Sequence, residues 1–343
     1  MTNLDACSQP AVPLTVLTGF LGAGKTTLLR RLLTADHGLR IAVLVNDFGA
    51  LNIDADLVVD VTSNVVSLAN GCVCCTIRGD LLEAMEEVLA RPERPQYVIL
   101  EASGVADPSG IVMTFHNPAL RDRVRLDSII CVLDAEQVFL SPDQMRLKLQ
   151  QIAFSDLLLL NKVDLVDAAQ IAKVKNWLDE YFHRYRLLEA SHCELPMEVL
   201  LAAGRFDAAG LRDQTSPLDH DAAACDDPTC TQEHGHEHDH SHQFGTWSFS
   251  THKPMSLEVL RTIAARLPNS IYRCKGIIYS RQEPNRRFVL QVVGKRVDIS
   301  AENLWGDEIP ATRIVAIGAR VALDRDLLRT QFETCLMQEP AVF

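Results

Sequence analysis

The chain has 343 residues, of which 47% are hydrophobic and 23% charged, and its formal net charge is −12. This composition can bury a hydrophobic core, which excludes a disordered chain, and the length suits two domains. The negative charge argues against nucleic acid as a partner. The lack of a long apolar run or of a secretory signal argues against a membrane and predicts a cytoplasmic protein.

Strands and helices alternate through the first two hundred residues. Apolar runs that predict strands covered on both faces lie at 13–18, 40–45, 64–68, 97–101, 128–133 and 156–160. Helical periodicity follows at 25–35, 81–90 and 168–182. This alternation predicts an α/β domain over residues 1–209 with a doubly wound, mostly parallel sheet.

A change in composition divides the rest of the chain. Residues 210–243 are rich in Asp, Ala, Thr and His, which predicts a flexible linker that binds metal through its histidines. Order returns in a smaller α+β domain over 244–343. Its predicted strands are 245–250, 271–280, 287–293, 296–299 and 313–317, and its predicted helices are 256–266 and 323–335.

The first predicted strand leads into a glycine-rich loop that fits the pattern G-x-x-x-x-G-K-[ST] and opens a helix. Backbone N–H groups of such a loop surround a β-phosphate. We expect Lys25 to bridge the β- and γ-phosphates and Thr26 to give its hydroxyl to Mg²⁺. The alternative is a plain glycine-rich turn. The predicted nucleotide-binding residues here are Gly19, Phe20, Leu21, Gly22, Ala23, Gly24, Lys25, Thr26 and Thr27.

The sixth predicted strand is followed by Asn161, Lys162 and Asp164 in the pattern N-K-x-D. The Asp164 carboxylate can accept the two N–H groups on the Watson–Crick edge of guanine, whereas adenine would place an acceptor nitrogen against it. Alone, this pattern is often a helix-capping turn. After a phosphate loop it predicts GTP rather than ATP.

Two acidic residues follow other strands of the sheet. Glu101 ends the strand 97–101, where it can organise Mg²⁺ through a water, and the N–H of Gly104 can meet the γ-phosphate. Asp47 follows the second strand in the position of a switch loop, where Mg²⁺ or the attacking water are its candidate partners. The alternatives are a strand-terminal carboxylate without a partner and an ordinary turn residue. We assign Lys25, Thr26, Asp47 and Glu101 as the candidate catalytic residues.

Three cysteines lie within four residues, at Cys72, Cys74 and Cys75. Deprotonated thiols concentrated on one short turn bind Zn²⁺. A dithiol redox pair or cysteines that fill the core are the alternatives. The isolated Cys7, Cys131, Cys193, Cys274 and Cys335 are expected to be packing or surface residues.

Histidines alternate with acidic and small residues near the end of the linker. In an extended segment, the i, i+2 spacing brings neighbouring imidazoles to one face, where they can chelate a metal ion. The alternative is incidental affinity without a loading role. The residues are His234, His236, His238, His240 and His242.

Taken together, these motifs resemble the CobW-type GTPases, which are relatives of the nickel-insertion GTPases of hydrogenase and urease maturation. The matching segments are 19–27, 46–49, 71–81, 101–108 and 161–164, in the family's order, together with the His-rich linker and the small carboxyl-terminal domain. The resemblance implies a metallochaperone that hydrolyses GTP and delivers a metal, most often zinc and sometimes cobalt. It also implies that Cys72, Cys74 and Cys75 are metal ligands, and that a segment close to the nucleotide comprises Cys75, Thr76, Ile77, Arg78 and Gly79.

The sequence departs from the family pattern at two places. The switch loop carries Asp47 and Ala50 where glutamates are usual, and Ala102 and Ser103 stand where two threonines are usual. We expect these changes to leave nucleotide binding intact but to alter the coordination sphere of a metal ion and the metal preference.

The sequence therefore predicts a GTPase that uses GTP and Mg²⁺ and delivers Zn²⁺, with Co²⁺ or Ni²⁺ as alternative metals, to a client metalloprotein. A second copy of the chain is a further candidate partner. The rival interpretations are a metal storage protein that GTP regulates, a cobalt-delivery protein of cobalamin or nitrile hydratase maturation, and a small-molecule kinase on the same scaffold.

Overall fold

In the amino-terminal part of the chain, the described residues form a parallel sheet of seven strands in the order β3-β2-β4-β1-β5-β6-β7. In this computed structural model, the described residues are 11–35, 38–45, 65–67, 77–115, 117–201, 244–306 and 308–336. The strands are β1 (Val12–Thr18), β2 (Ile41–Val45), β3 (Val65–Ser67), β4 (Tyr97–Glu101), β5 (Val124–Asp134), β6 (Leu157–Asn161) and β7 (Leu187–Ala190).

Helices cover both faces of this sheet. They are α1 (Lys25–Thr34), α2 (Ile77–Ala90), α3 (Pro108–Phe115), α4 (Met145–Phe154), α5 (Ala168–Tyr181) and α6 (Met197–Leu200). Within β4, Ile99 packs in the same cluster as Leu28 of α1, whereas its neighbour Val98 packs in the same cluster as Met85 of α2. Because successive strand residues point to opposite faces, the two clusters lie on opposite sides of the sheet. The predicted doubly wound α/β fold is confirmed.

The predicted strands are all present, with small differences at their ends. Within the parallel sheet, the largest difference is in β5, which begins at Val124 rather than at 128. In the carboxyl-terminal part of the chain, the strand predicted at 296–299 extends to Leu304. The sequence analysis did not identify β7, α3, α4 or α6. Strand β1 lies between β4 and β5 in the middle of the sheet. The phosphate loop follows the carboxyl end of β1 and therefore lies at the carboxyl edge of the sheet, where open α/β sheets bind ligands.

The predicted second domain is an antiparallel sheet in the order β11-β10-β9-β12-β8 with two helices. The elements are β8 (Phe244–Thr251), α7 (Leu257–Ala265), β9 (Ile271–Tyr279), β10 (Arg286–Val293), β11 (Arg296–Leu304), β12 (Thr312–Ala319) and α8 (Arg325–Thr334). Each helix begins after a side-chain cap, because Ser256 accepts a hydrogen bond from Val259 N and Asp324 from Leu327 N. Aromatic rings of β8 and α8 stack in its core, with 5.4 Å between the centroids of Trp247 and Phe332.

The two domains are joined through buried polar groups near the amino ends of the strands. Arg273 of β9 pairs with Asp127 of β5, and both side chains are 1% exposed. The hydroxyl of Tyr97 donates to the same carboxylate at 2.7 Å, and Arg296 lies 3.2 Å from Asp156. The carboxyl-terminal domain therefore contacts the edge of the parallel sheet opposite the phosphate loop.

Within the part of the chain that the structure describes, no helix has both the length and the apolar character required to cross a membrane.

Candidate functional site

The phosphate loop adopts backbone angles that require glycine at two positions. Gly19 has φ +129°, and a Cβ there would lie 2.2 Å from the carbonyl O of Val132. Gly24 has φ +109°, and its Cβ would lie 2.5 Å from Nδ2 of Asn161. Any side chain at these positions would therefore push the loop away from β5 and β6. The alternative of an unconstrained glycine-rich turn does not account for this fit.

Lys25 and Thr26 begin helix α1 and point to different partners. Lys25 is 8% exposed, and its Nζ donates to the carbonyl O of Phe20 at 3.2 Å. The Thr26 hydroxyl donates to Oε1 of Glu101 at 2.7 Å. Glu101 is 3% exposed at the end of β4. An ammonium, a hydroxyl and a buried carboxylate therefore converge at the loop.

The residues after Glu101 pack directly on the phosphate loop. A Cβ on Gly104 would lie 2.8 Å from the backbone N of Leu21 and closer still to the Leu21 side chain. Ala102 is fully buried, and its N donates to the carbonyl O of Leu17 at 2.9 Å. Position 102, where the resembling family usually has threonine, thus serves packing in this chain. Gly104 therefore lies in contact with the phosphate loop.

The Asn161 side chain connects the phosphate loop with the loop after β7. Its Nδ2 donates to the carbonyl O of Ala23 at 3.0 Å, and its Oδ1 accepts from Cys193 N at 2.9 Å. Lys162 has φ +63° and forms an ion pair with Asp134 at 2.7 Å. Asp164 keeps 35% of its side chain exposed, so its carboxylate is open to an incoming base.

Sequence reasoning missed the loop after β7 as part of the site. His192 and Cys193 both have positive φ, at 52° and 60°, and Nε2 of His192 lies 3.9 Å from Oδ2 of Asp164. Consecutive strained residues next to a candidate base-binding carboxylate are typical of functional loops. The available signal was a short polar stretch after an apolar strand, but β7 has only four residues and was not identified.

The isolated cysteines within the described residues are packing residues, as expected. Cys131, Cys193, Cys274 and Cys335 are all buried, and burial raises the pKa of each thiol to about 12. These groups stay protonated at neutral pH, whereas a metal ligand must be a thiolate.

Several predicted site residues lie outside the described residues. These are Asp47, Cys72, Cys74, Cys75, Thr76, His234, His236, His238, His240 and His242. Ile77, Arg78 and Gly79 form the start of α2. Among the residues that the structure does describe, no group of three or more His, Cys, Asp or Glu side chains could hold a metal ion.

Each of the two domains matches a known family. Residues 13–188 match the family described as CobW/HypB/UreG, nucleotide-binding domain, and residues 244–336 match the Cobalamin synthesis protein cobW C-terminal domain. The chain belongs to the CobW family. The two matched regions correspond to the parallel-sheet domain and to the antiparallel-sheet domain.

Curated CobW relatives cover nearly the whole chain. A protein named zinc chaperone CobW from Pseudomonas aeruginosa is 34% identical, over 95% of this chain and 92% of the relative. A zinc chaperone CobW from a Sinorhizobium species is 30% identical, over 93% of this chain and 95% of the relative. A zinc-regulated GTPase metalloprotein activator 1 from Dictyostelium discoideum is 34% identical over 57% of this chain and 49% of the relative.

Proposed function

We propose that this chain hydrolyses GTP and couples that reaction to the transfer of zinc to a client metalloprotein. The observation that carries the proposal is the 2.7 Å hydrogen bond from the Thr26 hydroxyl to the buried Glu101 carboxylate, beside a loop that requires glycine at Gly19 and Gly24. Support also comes from the relatives, which are named zinc chaperones. A GTPase without a zinc site, or a zinc site without GTPase activity, would not account for both the geometry at the phosphate loop and the names of the relatives.

Guanine is the base we assign to the site. Asn161 holds the phosphate loop and the loop at Cys193 in one arrangement, and Asp164 follows it with an accessible carboxylate. Two N–H groups of guanine can donate to that carboxylate. Adenine would leave it without a donor, which disfavours adenine by about 1–3 kcal/mol or more.

The donor set at the phosphate loop suits Mg²⁺. Thr26 supplies a hydroxyl and Glu101 a buried carboxylate, and Mg²⁺ prefers such oxygen ligands together with substrate phosphates. When bound, the ion would neutralise charge on the β- and γ-phosphates. Thr26 would hold it directly and Glu101 through a water, with Asp47 as a further candidate.

Hydrolysis then depends on positioning by groups of this chain. The Lys25 ammonium, held near the carbonyl of Phe20, would turn to the β- and γ-phosphates. The N–H of Gly104, packed against Leu21, would face the γ-phosphate, and Asp47 would orient the attacking water.

Zinc is the cargo in this proposal, and Cys72, Cys74 and Cys75 are its ligands. These cysteines precede α2, which begins at Ile77, so they are adjacent in sequence to the predicted phosphate-facing segment 76–79. The five linker histidines from His234 to His242 would load or concentrate the ion. Thiolate ligands need reducing conditions, which supports a cytoplasmic location.

The test measures phosphate release from GTP and from ATP, with Mg²⁺, in the presence and absence of Zn²⁺. We expect turnover of GTP only, and a rate that changes when zinc is bound. Phosphate release that is the same with and without zinc would support a metal-storage protein instead. Transfer of the phosphate to a small molecule would support a kinase.

A further inference from the structure

Helix α4 presents two buried polar side chains to the phosphate site. Lys148 is 3% exposed and Gln151 is 1% exposed. Residues three apart in a helix lie on the same side, so both side chains face the same neighbours. Polar groups buried this deeply require hydrogen-bond partners, and their partners identify what the helix holds in place.

Gln151 holds the loop that follows Glu101. Its Nε2 donates to the carbonyl O of Gly104 at 3.1 Å and to the carbonyl O of Ala106 at 3.2 Å. An amide nitrogen has two hydrogens, so both are used on this one loop. The same loop is closed by a turn in which Ala106 N donates to the carbonyl O of Ser103 at 3.0 Å.

These hydrogen bonds fix the directions of the loop's N–H groups. In a trans peptide, the C=O of one residue and the N–H of the next point in opposite directions within one plane. The bond to the Ser103 carbonyl therefore fixes the N–H of Gly104. The bond from Gln151 to the Gly104 carbonyl fixes the N–H of Val105 in the same way. Both N–H groups belong to the loop that packs on the phosphate loop at Leu21.

Lys148 connects the same helix to the phosphate loop. Its Nζ donates to the carbonyl O of Val138 at 2.9 Å and of Leu140 at 2.5 Å, and it lies 4.7 Å from the centroid of the Phe20 ring. A cation–π contact of this kind holds the Phe20 ring of the phosphate loop against helix α4. Helix α4 thus contacts both loops that would surround the phosphates.

We infer that Gln151 is a positioning residue that holds the Gly104 loop ready for the γ-phosphate and so sets the preference for GTP over GDP. The inference rests on the proposed function, since it presumes a guanine nucleotide at this site. GDP lacks the γ-phosphate, so its affinity does not depend on the loop. GTP gains affinity from N–H groups that are already oriented for the γ-phosphate, because the loop does not have to become ordered when GTP binds.

The experiment compares Gln151→Met with the matched control Gln150→Met in the full-length protein. Methionine keeps the length of the side chain but donates no hydrogen bond, and Gln150 is the adjacent, less buried glutamine of the same helix. The dissociation constants of GDP and of a non-hydrolysable GTP analogue are measured by calorimetry with Mg²⁺, together with kcat for GTP.

For Gln151→Met we expect about a tenfold rise in the dissociation constant of the GTP analogue and about a tenfold fall in kcat, as for the loss of one to two hydrogen bonds. The dissociation constant of GDP should change by less than about twofold on the same argument, and Gln150→Met should match the wild type. Equal weakening of both nucleotides, or no change for either, would overturn the inference.

A second variant keeps the test decisive if Gln151→Met does not fold. Gln151→Asn retains the amide but is one methylene shorter, so it should lose at least one of the two bonds and weaken the GTP analogue selectively. An unchanged ratio of the two dissociation constants in this variant would again overturn the role of Gln151. If the wild-type protein bound neither nucleotide, the proposed function itself would fail, which is a different result from a variant that binds both without discrimination.

Discussion

Lys25 is the residue of the phosphate loop whose charge the proposed hydrolysis needs. It is buried, and its Nζ contacts the carbonyl of Phe20 within the loop. Lys25→Ala should lower kcat for GTP by about a hundredfold or more, because charge stabilisation of a transferring phosphoryl group is lost. Phosphate release measures this effect.

The control for Lys25 is Arg30→Ala, which removes an exposed cation from the same helix. It should leave phosphate release unchanged. Melting temperatures of both variants within a few degrees of the wild type would show that the fold is intact. Hydrolysis at the wild-type rate in Lys25→Ala would remove Lys25 from the mechanism.

Asp164 determines base selection in the proposal. Asp164→Asn exchanges one acceptor oxygen for an NH₂ donor, which complements the 2-carbonyl of xanthine rather than the 2-amino group of guanine. We expect the affinity for GTP to fall by about tenfold or more and the affinity for XTP to rise. Competition between the two nucleotides measures the exchange, and an unchanged preference would place the base elsewhere.

At the scale of elements, the cysteine-containing segment before α2 is the part of the chain assigned to zinc. Replacement of Cys72, Cys74 and Cys75 by serine should abolish tight zinc binding, since serine hydroxyls stay protonated and are poor ligands for zinc. Binding of GDP should be retained, because the phosphate loop and Asn161 are unchanged. Zinc stoichiometry by competition with a chromophoric chelator measures the loss.

The matched comparison for the cysteine variant is deletion of residues 233–242, which removes the histidines. This deletion should lower the number of weakly bound metal ions while leaving the tight site and GTP turnover in place. Full zinc stoichiometry in the serine variant would assign the tight site to the histidine segment instead.

The elements that the sequence predicted best are those that a local pattern defines. The largely apolar sequences of β1 and β4 and the glycine spacing between β1 and α1 each lie within a short stretch, so these strands and the phosphate loop could be predicted from local sequence. β7 was missed because it has only four residues, one of which, Glu189, is exposed. The role of Gln151 depends on contacts with a loop 45 and 47 residues away, which no local pattern records.

At the scale of the whole molecule, the pair of Arg273 and Asp127 fixes one domain on the other. Burial would raise the pKa of Asp127, but the charge of Arg273 and hydrogen bonds from Tyr97 and Arg273 outweigh it and hold the pKa below its ordinary value. The pair is fully enclosed, so removing one partner leaves an uncompensated charge.

Arg273→Met should therefore lower the free energy of unfolding by about 3–5 kcal/mol. The double variant Arg273→Met/Asp127→Leu should recover much of this loss, because neither charge of the pair is left without its partner and Tyr97 keeps its hydrogen bond with Thr15. Chemical denaturation at neutral pH measures both. A double variant no more stable than the single variant would show that packing, not charge, explains the loss.

Acid titration adds an independent check on the same pair. Because the pKa of Asp127 is lowered in the folded state, its contribution is complete at pH values above the ordinary aspartate pKa of about 4 and is lost as the pH falls through the folded value. Asp127→Asn should consequently lose less stability than the wild type on acidification below about pH 4.

Coupling between zinc and GTP is the central claim, and reciprocal titration tests it most directly. Zinc affinity is measured with and without Mg²⁺ and a non-hydrolysable GTP analogue, and the affinity for the analogue is measured with and without zinc. A coupling free energy of about 1–3 kcal/mol predicts that each ligand changes the dissociation constant of the other by one common factor, between about 5 and 150. The account would be contradicted if the dissociation constant of zinc did not change with the GTP analogue and that of the analogue did not change with zinc.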